Sequence, residues 1–218
     1  MCSFLNIHPF YYINFSCKYL YIDRILLKAM IDKNDFKAMR LEFEKKEKTR
    51  EEVIVKSREA LKLSKHAIYS LHRDDVKEAK SQLAEARKII ALVSPTKDVG
   101  DIGIFGEACE EFVEALSYYT FITESRLLTR KESGVDMDYY LPGICDLVGE
   151  LVRKAINSCI SADYASALKI RDFVSDVYAE LLLFDFPNIP VRRKFDGIKY
   201  GLEKLEDLVL KLKLEGKI

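Results

Sequence analysis

Apolar residues recur every three to four positions along most of this chain, with polar residues filling the spaces between. The first helix is predicted over 35–72, where Ile54, Leu61, Ile68 and Leu71 mark a buried stripe with Ser57 and Ser64 between them. "HRDD" at 72–75 reads as a turn, and Asp74 or Asp75 can cap the helix that follows. That second helix runs to about 93 through Val76, Ala79, Leu83, Ala86 and Ile90, and "SPT" at 94–96 breaks it. Further helices are predicted over 102–128, 139–159, 163–184 and 191–214. "RKESGVDMD" at 130–138 reads as a loop. "DFPNIP" at 185–190 reads as a rigid connector, because Pro187 and Pro190 are excluded from a helix interior. No strand pattern competes, so the expected fold is an all-α antiparallel bundle of six or seven helices, one domain over 31–218. "AIYSLHRDDVKEA" from Ala67 echoes "AINSCISADYASA" from Ala155 at an offset of 88, as if one helical hairpin were used twice. The spacing is not that of a tetratricopeptide array.

Residues 1–30 break the pattern. "MCSFLNIHPFYYINFSCKYLYI" holds seven aromatics and a proline without helical period. It lacks a basic start and a small-residue cleavage site, so it makes a poor signal peptide. It reads as a loosely packed extension or a start-site artefact, with Met30 opening a cleaner helical sequence. The 218 residues suffice for one full core. With 35 basic and 35 acidic side chains there is no global excess to hold nucleic acid, so any such binding depends on local clustering. Five scattered cysteines, with no CxxC and no zinc spacing, point to a reducing, cytoplasmic setting without disulfides. No apolar run is long enough to predict a membrane span.

Charge changes the picture most at "GEACEEFVEALSYYTF", residues 106–121. No Lys or Arg occurs between Lys97 and Arg126, while Asp98, Asp101, Glu107, Glu110, Glu111, Glu114 and Glu124 all fall in that gap. Glu111 and Glu114 share one helical face. Glu107 is expected one turn earlier on it, with Ala108 and Ala115 beside it and Tyr118 beyond. Burying these carboxylates unpaired would be costly, so solvent, another helix or a metal ion must neutralise them. "PGICDLVGELVR" at 142–153 offers a second pair, Asp146 and Glu150, four apart. Gly149 lies between them, at a cost of about 1 kcal/mol relative to alanine, which close packing or a bound ligand would account for. Two helices with two carboxylates each can make an all-oxygen site for Mg²⁺ or Mn²⁺. An ordinary solvated acidic face is the alternative. The absence of histidine from both pairs excludes a Glu-x-x-His di-iron pattern.

Arg58, Lys62, Lys65, Tyr69 and His72 form a second stripe on the first helix. Cations with an aromatic and an imidazole suit phosphates and stacked single-stranded bases, though a plain solvated face has the same spacing. "RRK" at 192–194 opens the last helix against its dipole, a strain that phosphate or solvent would relieve. His66 and His72 have no neighbouring Ser or Cys, so no nucleophilic triad is present.

Four segments in order, "REEVIVKSREALKLSKHAIYSLHRDD", "EEFVEALSYYTF", "YYLPGICDLVGELVRKAINS" and "LLLFDFPNIPVRRKFDGIKYGLEKLE", resemble the translin/Trax family over about 44–214. The resemblance implies an all-α seven-helix bundle. One branch of the family binds single-stranded RNA and DNA; the other is a metal-dependent endoribonuclease with ExxE on one helix and D-x-x-x-E before L-x-R on another. Those positions fall on Glu111, Glu114, Asp146 and Glu150, which implies the catalytic branch with Mg²⁺ or Mn²⁺. Lys65 and Arg153 match positions expected to contact RNA. Relatives of this compact type assemble with themselves into closed eight-subunit shells. The first 30 residues have no counterpart in the family, and no nuclear localisation cluster is present. Three expectations follow: a single-stranded ribonuclease, a non-catalytic single-stranded RNA or DNA binder, or a scaffold whose acidic face docks a basic helix.

Overall fold

The computed structural model describes residues 31–187 and 190–218, and every regular element among them is helical. The expectation for residues 1–30 lies outside the described residues. The helices are α1 (Lys33–His72), α2 (Val76–Val93), α3 (Gly103–Glu124), a short α4 (Arg130–Ser133), α5 (Met137–Ile160), α6 (Tyr164–Leu181) and α7 (Pro190–Leu214), with a 3₁₀ turn at Val99–Asp101. The chain divides into two compact units, Met1–Lys48 and Thr49–Ile218. In the first, the described helical residues expose Phe36, Met39, Leu41 and Phe43. The remaining description concerns the second.

The buried stripe of α1 is made of smaller residues than the spacing predicts. Val53, Ser57, Ala60, Ser64, Ala67, Ile68 and Leu71 are buried, whereas Ile54 and Leu61 are half-buried. Ser64 stays satisfied by donating to the Ala60 carbonyl at 2.9 Å. The α1–α2 and α5–α6 turns are the same turn at the offset of 88. Asp74 and Ala162 both adopt φ of 60°. The next residue in each, Asp75 or Asp163, caps the following helix. Its own amide returns to the Ser70 or Ser158 carbonyl, at 2.9 and 2.8 Å. The internal echo is therefore a shared hydrogen-bond pattern.

Three predicted segments differ from expectation, one of them α6, which ends at Leu181 rather than near 184. Helix α3 ends at Glu124 rather than near 128, because Ser125 turns left-handed at φ 57°. The predicted loop after it contains α4, held by a reciprocal capping box between Thr129 and Glu132 and closed by Gly134 at φ 71°.

Helix α5 packs against α3, α4, α6 and α7. Its Leu147 and Leu151 are fully buried, as are Phe112, Val113 and Tyr118 of α3, Val174 of α6 and Ile198 and Leu205 of α7. Gly143 sets the α3–α5 distance: a Cβ there would lie 2.6 Å from the Glu110 carbonyl oxygen. This close approach brings the acidic faces of α3 and α5 together.

Candidate functional site

Helix α3 supplies Glu110, Glu111 and Glu114, and α5 supplies Asp146 and Glu150. Helix α1 adds Lys65 and His72, and α7 adds Lys194. Glu107, expected on the same face, points to solvent instead. Glu110 takes part in its place: Lys194 Nζ donates to Glu110 Oε2 and to Asp146 Oδ2, each at 2.5 Å. Lys65 Nζ lies 4.0 Å from Glu111 Oε2. His72 Nε2 bonds Glu150 Oε2, and Arg153 stands 3.9 Å from the same carboxylate. The charges that α3 cannot neutralise are therefore met largely by cations from α1 and α7.

Glu114 is the exception. It is only 9 % exposed, and it has no hydrogen bond or ion pair among the described residues. Burial pushes its carboxyl up to about 9, and the charges of Glu111, Asp146 and Glu150 push the same way. Glu111 is also raised by burial, with Lys65 opposing and Asp146 and Glu150 adding to the rise. Glu150 moves the other way, because its hydrogen bond from His72 outweighs burial. Burial alone would lower Lys194, but its hydrogen bonds to Asp146 and Glu110 leave it raised. Two carboxylates on α3 thus resist ionisation while one on α5 is held ionised, the kind of separation that marks functional sites.

Of the basic stripe, four members share an exposed face and one does not. Arg58, Lys62, Lys65 and Tyr69 are exposed along α1. His72 leaves the stripe and turns inward, with a side chain 7 % exposed. Its Nδ1 lies 3.3 Å from the Tyr118 hydroxyl, and the two rings pack at 5.1 Å. A Tyr118 hydroxyl donating to Nδ1 leaves Nε2–H to donate to Glu150. The "RRK" cluster is likewise divided: Arg192 pairs with Asp196 at 2.9 Å, whereas Lys194 reaches the carboxylates. Gly149 is exposed, and a Cβ there would meet nothing within 4 Å, so close packing does not explain it.

The donor set suits a hard divalent cation: carboxylate oxygens only, with one buried and uncompensated. Among the described residues no group of three or more His, Cys, Asp or Glu is gathered to hold a metal ion. Lys194 and His72 occupy oxygens of Asp146 and Glu150 instead. The chemistry fits a cation, and resident cationic partners hold part of the set. No described helix is long and apolar enough to cross a membrane. Sequence reasoning missed Glu110 and Lys194, because nothing local shows that residue 194 packs against residue 110.

A profile described as the Translin family matches residues 48–216. An uncharacterized protein of Methanocaldococcus jannaschii is 31 % identical over 164 residues, covering 73 % of this chain and 74 % of that protein. Translin-associated protein X of Mus musculus is 24 % identical, covering 83 % and 78 %. Translin of Gallus gallus is 34 % identical over 82 residues; that match spans 38 % of this chain and only 36 % of the relative's length. Among solved structures, apo-NeC3PO matches with a TM-score of 0.77 and 30 % identity, over 83 % of this chain and 97 % of that one. AfC3PO in complex with duplex RNA matches with a TM-score of 0.77 and 26 % identity, over the same shares.

Proposed function

The chain belongs to the translin family, and from that premise we propose that it is a Mg²⁺- or Mn²⁺-dependent endoribonuclease acting on single-stranded RNA. The observation that carries this reading is Glu114, a buried carboxylate without a partner beside three others. A charge left this way is costly without a cation. Glu111, Glu114, Asp146 and Glu150 would hold the ion. When bound, it supplies a Lewis acid for the scissile phosphate and a more acidic water.

The chain's own residues do the rest. Glu150, kept ionised by His72, is positioned as the general base, and Tyr118 fixes the imidazole behind it. Lys65 and Arg153 flank the carboxylates and neutralise neighbouring phosphates. Arg58, Lys62 and Tyr69 extend that track along α1, with Tyr69 available to stack on a base. The structural neighbour holding duplex RNA supports RNA as the ligand. A closed homo-octamer in the cytoplasm is the proposed working form, and single-stranded DNA is the second ligand proposed.

The test is incubation of the purified protein with labelled single-stranded RNA, with Mg²⁺ or with EDTA, beside a Glu111/Glu114/Asp146 triple alanine variant. Cleavage that needs both the ion and the carboxylates is expected. A second reading, a non-catalytic binder of translin type, draws on the fact that Lys194 and His72 already satisfy part of the acidic set. Binding without cleavage in any divalent metal would establish it.

A further inference from the structure

Helices α5 and α7 carry four glycines between them, each costing about 1 kcal/mol relative to alanine in a helix interior. Two have a packing reason: Gly143, described above, and Gly201, where a Cβ would lie 2.8 Å from Val148 Cγ1. Gly149 and Gly197 have none, since a Cβ at either would meet nothing within 4 Å. Both line a half-open groove of about 360 Å³ between the two helices, a volume typical of small-ligand sites. The helices run in the same direction here. Asp146 meets Lys194 at one end, and the groove continues past Val152 and Gly201 to Tyr200 and Lys204, both exposed. It is therefore continuous with the carboxylate site, apolar along Val148, Val152 and Ile198, and edged by an aromatic ring and a cation.

We propose that this groove seats one unpaired nucleotide of the RNA strand, next to the bond held at the carboxylates; the inference rests on the ribonuclease reading above. The apolar wall receives the face or edge of a base, Tyr200 supplies a stacking surface, and Lys204 meets the adjoining phosphate. The missing side chains at Gly149 and Gly197 make the room. A groove sized for one nucleotide excludes a base pair, so it selects single strands over duplex. Its polyanionic occupant complements Lys204 at its edge, which a second apolar helix would leave unpaired.

The test is a Gly149→Leu/Gly197→Leu double variant, with Tyr200→Ala as a second variant that leaves helix packing untouched. Leucine is the better helix former, and both positions open into free space. Binding of a fluorescein-labelled oligouridine is followed by anisotropy in EDTA, so the readout needs neither metal nor cleavage, and oligomeric state is checked by sedimentation. The double variant should weaken binding about 10-fold or more. Tyr200→Ala should weaken it about 5-fold or more, the lower end of the loss of one stacked base. Assembly should be unchanged. Unchanged affinity in both variants overturns the proposal. So does a shifted oligomeric state with RNA affinity intact, which would make the groove an interface between copies. If the wild type fails to cleave RNA while the variants still lose affinity, the ribonuclease reading falls and the groove stands. If the wild type cleaves and the variants bind normally, the reverse holds.

Discussion

Two acidic clusters in this chain behave in opposite ways. At the end of α3, Arg126 bonds Glu124 at 2.7 Å and grips Glu132 with two nitrogens, at 2.8 and 2.9 Å. These groups are exposed, and the hydrogen bonds from Arg126 and Thr129 hold Glu132 down at about 2. Every carboxylate there has a partner, and the cluster's effect is architectural: it caps α4 just beyond the left-handed Ser125 that ends α3. At the α3–α5 interface the carboxylates outnumber the cations, and Glu114 is driven up to about 9. The lesson is that carboxylate count alone carries little meaning. What separates a joint from a site is whether a buried carboxyl group is left without a partner after every local cation is assigned.

The sharpest way to break this comparison is to remove the interface carboxylates. Glu114→Ala or Asp146→Ala should bring RNA cleavage below detection while leaving the assembly folded, judged by circular dichroism and sedimentation. Metal-dependent cleavage retained in both would sink the assignment. Next comes the partner behind the site. His72→Ala should lower Mn²⁺ affinity about 10- to 100-fold, as loss of a residue that orients a ligand does, and His72→Gln should recover part of it. Calorimetry on the apo protein reads this directly.

A smaller effect separates the clusters by pH. A carboxyl raised in the folded state gives stability that is full below its unfolded value, near 4.5, and is lost as pH climbs toward 9. Glu114→Gln should therefore melt several degrees above the wild type at pH 8 without metal, with little difference at pH 4.5; Mg²⁺ should narrow the gap. Glu132 has the opposite sign: its contribution is present above about 4.5 and fades as pH falls toward 2. Glu132→Gln should leave cleavage unchanged and shift the melting point only slightly at neutral pH, as exposed pairs contribute little. Smallest of all, Lys65→Gln or Arg153→Gln should weaken RNA binding a few-fold and reduce the slope of log affinity against log salt by about one each.

The helical order was legible because periodicity is local: α2, α5 and α7 follow their apolar spacing closely. The end of α3 was not, since a left-handed Ser125 and a four-residue α4 leave no periodic trace. The Asp75 and Asp163 caps were readable from the paired hairpins. At the site, Glu111, Glu114, Asp146 and Glu150 could be grouped by helical face and family resemblance. Lys194, Glu110 and the inward turn of His72 could not be found this way, because their partners lie 78 and 84 residues apart, or 48 for Lys194 and Asp146. Of the two readings open for Gly149, close packing or a bound ligand, the packing role belongs instead to Gly143, six residues earlier on the same helix.

The central claim is that the α3–α5 carboxylates form a cation site that their lysine and histidine partners leave incomplete. Titration of Mn²⁺ into the metal-free protein, followed by electron paramagnetic resonance, tests it most directly. The account predicts saturable binding in the wild type that disappears in the Glu111/Glu114/Asp146 triple alanine variant. Equal binding by both proteins, or none by the folded wild type, would contradict it.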